Sequence, residues 1–442
     1  MKEATNMRDF GTNLIHFCQG KYNDNKETAK QQFKNISDQN IMDAFEALNG
    51  NLREKVTKLR EFSATEQMIN NAFELFDYLC KNRLSFVNTD FAHRIEFDLL
   101  LFKVTLYSHQ GINHTVINDC LNRCQKILSE NLDTPSDIDR KSMYNNRKAL
   151  FEEYSYNFDA ADKTCADWAS TLEALKGLIN SNAKSRELGK LYGTKAQIKI
   201  NQYHVGTATY EDVKNTIQNA LDQFDSEDDK KRQYQYIAGV EADSGDIDSA
   251  LEDFARGFGF EDYKQIFKNP AVDTPSFAVY HLSRIALGAV KIDKKSKLAQ
   301  QVYNYFKDAI PKYLNIPNNR AINKNDVFDI VPQGVTCINL LLLKLYFGKT
   351  DELNRILEII EYMENLGITF TLPLYAEVLC ALHAAGCNKE YEEWAQKLMQ
   401  KFDSFEKGNF RDVTKAFFAA EKENLNINDP QSVAHFAKTR LY

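Results

Sequence analysis

Proline is nearly absent from the first 269 residues. Pro135 stands alone there, and the other seven prolines lie at 270 or beyond. Proline removes a backbone donor and clashes with the preceding turn, so it breaks helix interiors. A stretch this long with one proline is free to be helical nearly throughout. No segment in it alternates apolar and polar residues as a half-buried strand would. The expected class is all-α.

Caps and glycines divide this stretch into helices. Ser63-Ala-Thr-Glu66 has capping-box spacing, in which a Ser oxygen and a Glu carboxylate satisfy orphan amides. Ser37, Thr209, Asp246, Thr350 and Asn388 are further N-cap positions before apolar-periodic segments. Gly50, Gly111, Gly245, Gly348 and Gly386 stand where a helix should stop and the chain should turn. The predicted hairpins pair 97–109 with 114–128 and 141–156 with 159–178. Two more lie between 185 and 258. After a proline-marked break at 269–275, 277–290 pairs with 297–313. The last two pair 335–347 with 351–365 and 374–385 with 389–402. Beyond Pro430 a short amphipathic helix is expected at 431–441.

The chain has 442 residues, more than one ordinary core accommodates. A stack of repeats escapes that limit, because each repeat buries its face only against its neighbours. The content of 43% hydrophobic and 26% charged residues is that of a soluble globular protein. The net charge of −7 argues against nucleic-acid backbone binding as the main task, which needs concentrated Lys and Arg. Residues 1–62 hold no clear recognition helix. The mixed-sign run DSEDDKKR at 225–232 reads as a solvated loop and helix start. Eight cysteines spread along the chain, mostly among apolar residues, look like reduced, buried thiols. The N-terminus MKEATNMRDF has no apolar signal core. The longest apolar stretch, near 338–347, contains Lys344 and is far below the roughly 18–20 residues of a membrane span. A cytoplasmic location is expected.

Motifs that carry chemistry are mostly missing. Phe347-Gly348-Lys349-Thr350 lacks the second glycine of a phosphate loop, since position 343 is leucine. It reads as a turn between helices. His109, His114, Cys120 and Cys124 invite a zinc reading, yet structural zinc sites pair their ligands at tighter, knuckle-like spacings. His383 and Cys387 sit four apart across a helix end, without the surroundings of a Cys–His dyad. Asp243, Asp246 and Asp248 lack the ligand ladder of a calcium loop, and Asp246 reads as a cap. No cofactor, no metal ligand and no catalytic residue is assigned.

One set of residues does carry a pattern. Leu188, Gly189 and Tyr192 stand as Leu-Gly-x-x-Tyr, and Ala220 and Phe224 follow as Ala-x-x-x-Phe. Ala238 starts the pattern again, and Gly245, Ala250 and Phe254 complete it, with Tyr234 as a further large residue. Ala149, Ala161 and Cys165 echo it more weakly. This resembles the tetratricopeptide repeat, a helix–turn–helix unit of stacked hairpins. The resemblance covers roughly a fifth of the chain. It implies a right-handed α-solenoid. With it the chain divides into an N-terminal helical cap or arm (1–62), a tetratricopeptide-like stack (63–313), a linker or insert loop rich in Pro, Asn and Asp (314–334) and C-terminal hairpins with a capping helix (335–442).

In such repeats the first helix of each hairpin lines the concave face. Carrying that phase over places Asn146, Arg186, Lys190, Arg232 and Gln235 toward a groove. A basic, amide-rich set suits an acidic or extended peptide. The implied function is a non-enzymatic scaffold or regulatory adaptor that binds a protein segment, as a subunit of a larger complex. Two alternatives stand beside it. One is a bacterial sensor or regulator, peptide-responsive or partnered with an antiviral effector enzyme. The other is an enzyme with a dispersed His/Cys site.

Overall fold

The structure, a computed structural model, describes all residues except 1, 22–25, 56–61, 88, 111–113, 131–136, 175–180, 269, 311–325, 366–370, 409 and 440–442. For residues 2–9, 62–63, 109–110, 181–184 and 326–332 it describes the backbone alone. Among the described residues there is no strand, so the fold is all-α. The chain forms two compact units, residues 1–148 with 323–328 and residues 149–322 with 329–442. The sequence boundaries follow turn formers, whereas the units follow packing.

The first unit holds α1 (Lys2–Cys18), α2 (Lys26–Lys34), α3 (Asp38–Glu54), α4 (Phe62–Asn82), α5 (Leu84–Val87), α6 (Asp90–Gln110), α7 (His114–Glu130) and the start of α8 (Ile138–Glu153). Helix α1 packs on α3 and α4, α4 on α6, and α6 on α7. Ser37 caps α3, its Oγ accepting the Asn40 N–H at 3.2 Å. Gly50 does not end that helix, contrary to expectation. Phe45, Leu48 and Leu52 carry one buried face across it, and packing outweighs the local preference. The Ser63 side chain lies outside the described residues, as does Gly111. Glu66 accepts a hydrogen bond from the Tyr107 hydroxyl at 3.0 Å.

The second unit continues with α9 (Phe158–Ala174), α10 (Ser181–His204), α11 (Tyr210–Gln223), α12 (Glu227–Ser244) and α13 (Ile247–Phe258). A short 3-10 turn at Tyr263–Lys268 precedes the proline-marked break, and another at Ala271–Asp273 lies within it. Then follow α14 (Ser276–Ile292), α15 (Lys297–Phe306), α16 (Asp326–Tyr346), α17 (Leu353–Asn365), α18 (Thr371–Ala385), α19 (Asn388–Glu406), α20 (Asp412–Asn424) and α21 (Pro430–Ala437). Helices pair in sequence, α10 with α11, α12 with α13, α14 with α15 and α18 with α19. The first members also meet one another, α10 on α12 and α12 on α14. This succession is compatible with a helical repeat.

Local chemistry explains the boundaries. Thr209 and Asp212 form a full capping box at α11. Asp246 Oδ1 accepts the Ser249 N–H at 3.2 Å and caps α13. Gly245 between α12 and α13 sits at φ 94°, a backbone region that side chains disfavour. Asn388 is the first residue of α19 rather than its cap; Cys387 holds the cap position without a side-chain bond. Helix α16 begins at Asp326, inside the segment expected to be a linker, and runs through Pro332. Its continuation buries nearly every residue from Val335 to Leu345, which offsets the one bond that proline removes. Residues 314–325 lie outside the described residues.

The residues of the repeat pattern are in the core. Ala238, Ala250 and Phe254 have no exposed surface. Burying a side chain like Phe254 stabilises by about 1.5–3 kcal/mol. A Cβ on Gly189 would lie 2.9 Å from the Phe224 ring, so the two ends of the longer hairpin meet where the pattern predicts. The residues between them are the rest of α10, a turn and α11. Helix α10 spans 24 residues.

Candidate functional site

Four of the five groove candidates lie in the second unit, and Asn146, on α8, lies in the first. Arg186 and Lys190 stand one turn apart on α10. Their side chains are 55% and 41% exposed. Between them Glu187 is fully buried, and its Oε1 accepts from Lys190 Nζ at 2.7 Å and Arg186 Nε at 3.1 Å. The two cations therefore balance a buried carboxylate and still present charge to water. Arg232 is exposed on α12. Its charge opposes the burial that raises the Tyr236 phenol above its usual range. Gln235 turns elsewhere: its Nε2 donates to the Gly257 carbonyl at 2.8 Å and ties α12 to the end of α13. The structure thus places Arg186, Lys190 and Arg232 on two adjacent helices and gives Gln235 an internal bond.

The sequence reading missed a buried polar seam along the first helices of the hairpins. His204 ends α10, Asp243 lies in the last turn of α12, and Arg284 is in the middle of α14. Arg284 pairs with Asp243 Oδ2, and His204 Nε2 lies 3.1 Å from that oxygen and 2.9 Å from the guanidinium. Burial works against the Asp243 charge, but Arg284 and His204 hold its carboxyl well below the usual range. Gly239 makes the room, since a Cβ there would collide with the Arg284 guanidinium. Gly288 does the same for the backbone, where a Cβ would lie 2.5 Å from the Ala242 carbonyl. Farther along, Lys291 Nζ pairs with the buried Glu377 at 3.1 Å. Asn339 Nδ2 donates to Ser283 Oγ at 3.3 Å. The available signals were basic residues within the largely apolar α14 and two glycines inside helices, where glycine costs about 1 kcal/mol relative to alanine.

Three further acidic or basic groups near this seam are dominated by burial. Glu153 is buried with only the amides of Asn201 and Gln197 as donors, and burial lifts its carboxyl to about 8. Burial, with Asp253 and Asp246 adding to it, lifts Glu241 to about 8 as well. His281 is buried among Phe258, Phe277 and Tyr280, and neither ring nitrogen has a hydrogen-bond partner. Burial and then Arg284 push its pKa down to about 3.

Cys120 and Cys124 are buried against apolar neighbours, and burial raises both thiols. Burial also raises Cys387, and Cys380 is pushed up to about 12. Such groups are thiols at neutral pH, not thiolates. The His109 side chain lies outside the described residues. Among the described residues no group of three His, Cys, Asp or Glu is placed to hold a metal ion. Nor is any helix among them long and apolar enough to cross a membrane. A cavity of about 160 Å³ lies between α18, α19 and α21, lined by Leu379, Cys380, His383, Tyr391, Pro430 and Val433 among others. No protein-family model matches the chain, and no curated protein matches it.

Proposed function

We propose that the chain is a non-enzymatic interaction protein, a tetratricopeptide-like right-handed solenoid that acts in the cytoplasm within a larger complex. Its first helices line a concave groove, and a protein segment or peptide of acidic character lies there. The observation that supports this most is a division of labour among the charges. Arg284, Asp243, Lys291 and Glu377 are spent on internal pairs between helices. Arg186, Lys190 and Arg232 are exposed on adjacent helices, where fixed cations can recognise carboxylates.

The test is recovery of a stoichiometric protein partner from the native host with wild-type chain and with charge-reversed variants. The Arg186→Glu, Lys190→Glu chain also strips Glu187 of its counter-ions, so Arg232→Glu is the cleaner variant. Loss of the partner with Arg232→Glu, at unchanged helicity, supports the groove. Retention of the partner by both variants removes it from consideration.

A further inference from the structure

The last helices of the chain return to the start of the second unit. Arg411, at the N-cap of α20, reaches Glu152 with both terminal nitrogens at 3.3 Å. Its guanidinium also lies 4.3 Å from the centre of the Phe151 ring. One turn on, Thr414 Oγ1 donates to the Ser155 carbonyl at 3.1 Å. A turn later Phe417 stacks on Tyr156 at 4.3 Å, and Phe418 meets the same ring edge-on at 4.9 Å. Positions 411, 414 and 418 form one stripe of one helix, the spacing by which an amphipathic helix reads a surface.

The seat is built from a strained turn. Tyr156 is the one described non-glycine residue with a positive φ, at 60°. Such a conformation persists only where the surroundings hold it, and the Tyr156 ring is buried under α20. The cover over that ring is imperfect, because the Tyr156 hydroxyl is buried with no hydrogen-bond partner. Uncovering it returns the hydroxyl to water, which favours release. The covering helix also buries few side chains for its length. Helix α20 buries only Thr414 and Phe418, and α21 buries Val433, Phe436 and Ala437, whereas α18 buries most of its length. Segments with few buried side chains open at the lowest cost.

We infer that α20 is an internal ligand. The surface made by Phe151, Glu152, Ser155 and Tyr156 docks an amphipathic helix bearing an arginine, a hydroxyl and adjacent aromatics on one stripe. The chain's own α20 fills it and keeps it closed to a partner helix of that chemistry. The biological meaning rests on the interaction reading above, but the test does not, since both components come from this chain.

The experiment uses the full chain and a fluorescent peptide of residues 410–439. Wild type should capture the peptide poorly, because the seat is filled. The Arg411→Glu chain, with its own helix loosened, should capture it about tenfold more tightly or better, as expected when the competent state becomes populated. Adding Glu152→Arg to that chain restores the internal pair with reversed charges and should remove capture again. Should Arg411→Glu fail to fold, Phe417→Ala, which trims one half-buried ring, takes its place. Failure of the loosened chain to capture the peptide overturns the inference, and so does equal capture by all three chains. Hydrogen exchange of the same chains adds a second reading: α20 and α21 amides exchanging in step with those of α18 would also overturn it.

Discussion

Buried carboxylates in the two units meet different company. In the first unit Asp98 accepts two hydrogen bonds from Arg140, at 2.9 and 2.8 Å, and one from Asn49 at 3.0 Å. Burial still wins there, and the Asp98 carboxyl stays above its usual range. In the second unit Asp243 has Arg284, His204 and the field of Lys291, and its carboxyl is driven the other way. Glu153, with amides as its donors, is raised to about 8. The number of cations around the group decides whether desolvation or attraction prevails. A buried carboxyl is therefore not one kind of feature: Asp243 is held by cations, and Glu153 by side-chain amides.

The largest test of that contrast is Asp243→Ala. It leaves Arg284 buried without its counter-ion, and the expected loss is about 3–5 kcal/mol in urea unfolding. Asp98→Ala should cost less, because Arg140 retains 19% exposure and keeps Asp137 within 3.7 Å. An equal loss in both would mean that cation number does not separate the two sites.

Next come substitutions that press on the seam without removing charge. Gly239→Ala drives a methyl into a guanidinium pinned by Asp243 and His204. Ala238→Leu overfills the neighbouring contact. Each should cost about 1–3 kcal/mol, read as a lowered thermal midpoint. An unchanged midpoint for Ala238→Leu would show that the repeat register is misplaced.

The pH dependence should be of similar or smaller size. Glu153 and Glu241 have folded pKa values of about 8, above the roughly 4.3 of an unfolded Glu. Between those values the folded state holds protons that the unfolded state has released, so stability falls as pH rises. His281, lowered to about 3, acts oppositely: its contribution is present above about 6.5 and is lost as pH falls. The two trends partly cancel below pH 6.5, and the fall from about 6.5 to 8 stands alone. Glu153→Gln with Glu241→Gln should flatten that fall in a calorimetric series. A slope that persists in the double variant would assign it to other groups.

The smallest effect should come from Arg123→Ala. Its two bonds to Glu96, at 2.6 and 2.8 Å, have good geometry, but the Arg123 side chain is 45% exposed. A change under about 1 kcal/mol is expected, and a larger one would show that geometry outweighs exposure here.

Features set by near neighbours were legible in the sequence. Thr209 and Asp212 close a capping box three residues apart, and Gly245 turns the chain between the two helices that it joins. Ala238 and Phe254 could be placed in the core because a repeat pattern encodes packing between adjacent helices. The polar seam was not legible. His204 lies 39 residues from Asp243, Arg284 lies 41 from it, and Lys291 lies 86 from Glu377. No local periodicity reports such pairs. Gly50 misled for the converse reason, since a buried face on either side overruled its own preference, and Pro332 did so because the helix that runs through it continues into a buried stretch. Of the groove residues, helix phase alone did not reveal that Gln235 would spend its amide on Gly257.

The absent side chain at Gly239 ties two distant positions into one heritable unit. A lineage that gains a methyl at 239 must shorten residue 284 or lose the ion pair with Asp243. Among relatives of this chain, residues 239, 243 and 284 should therefore change together or not at all, though 41 residues of sequence separate the last two.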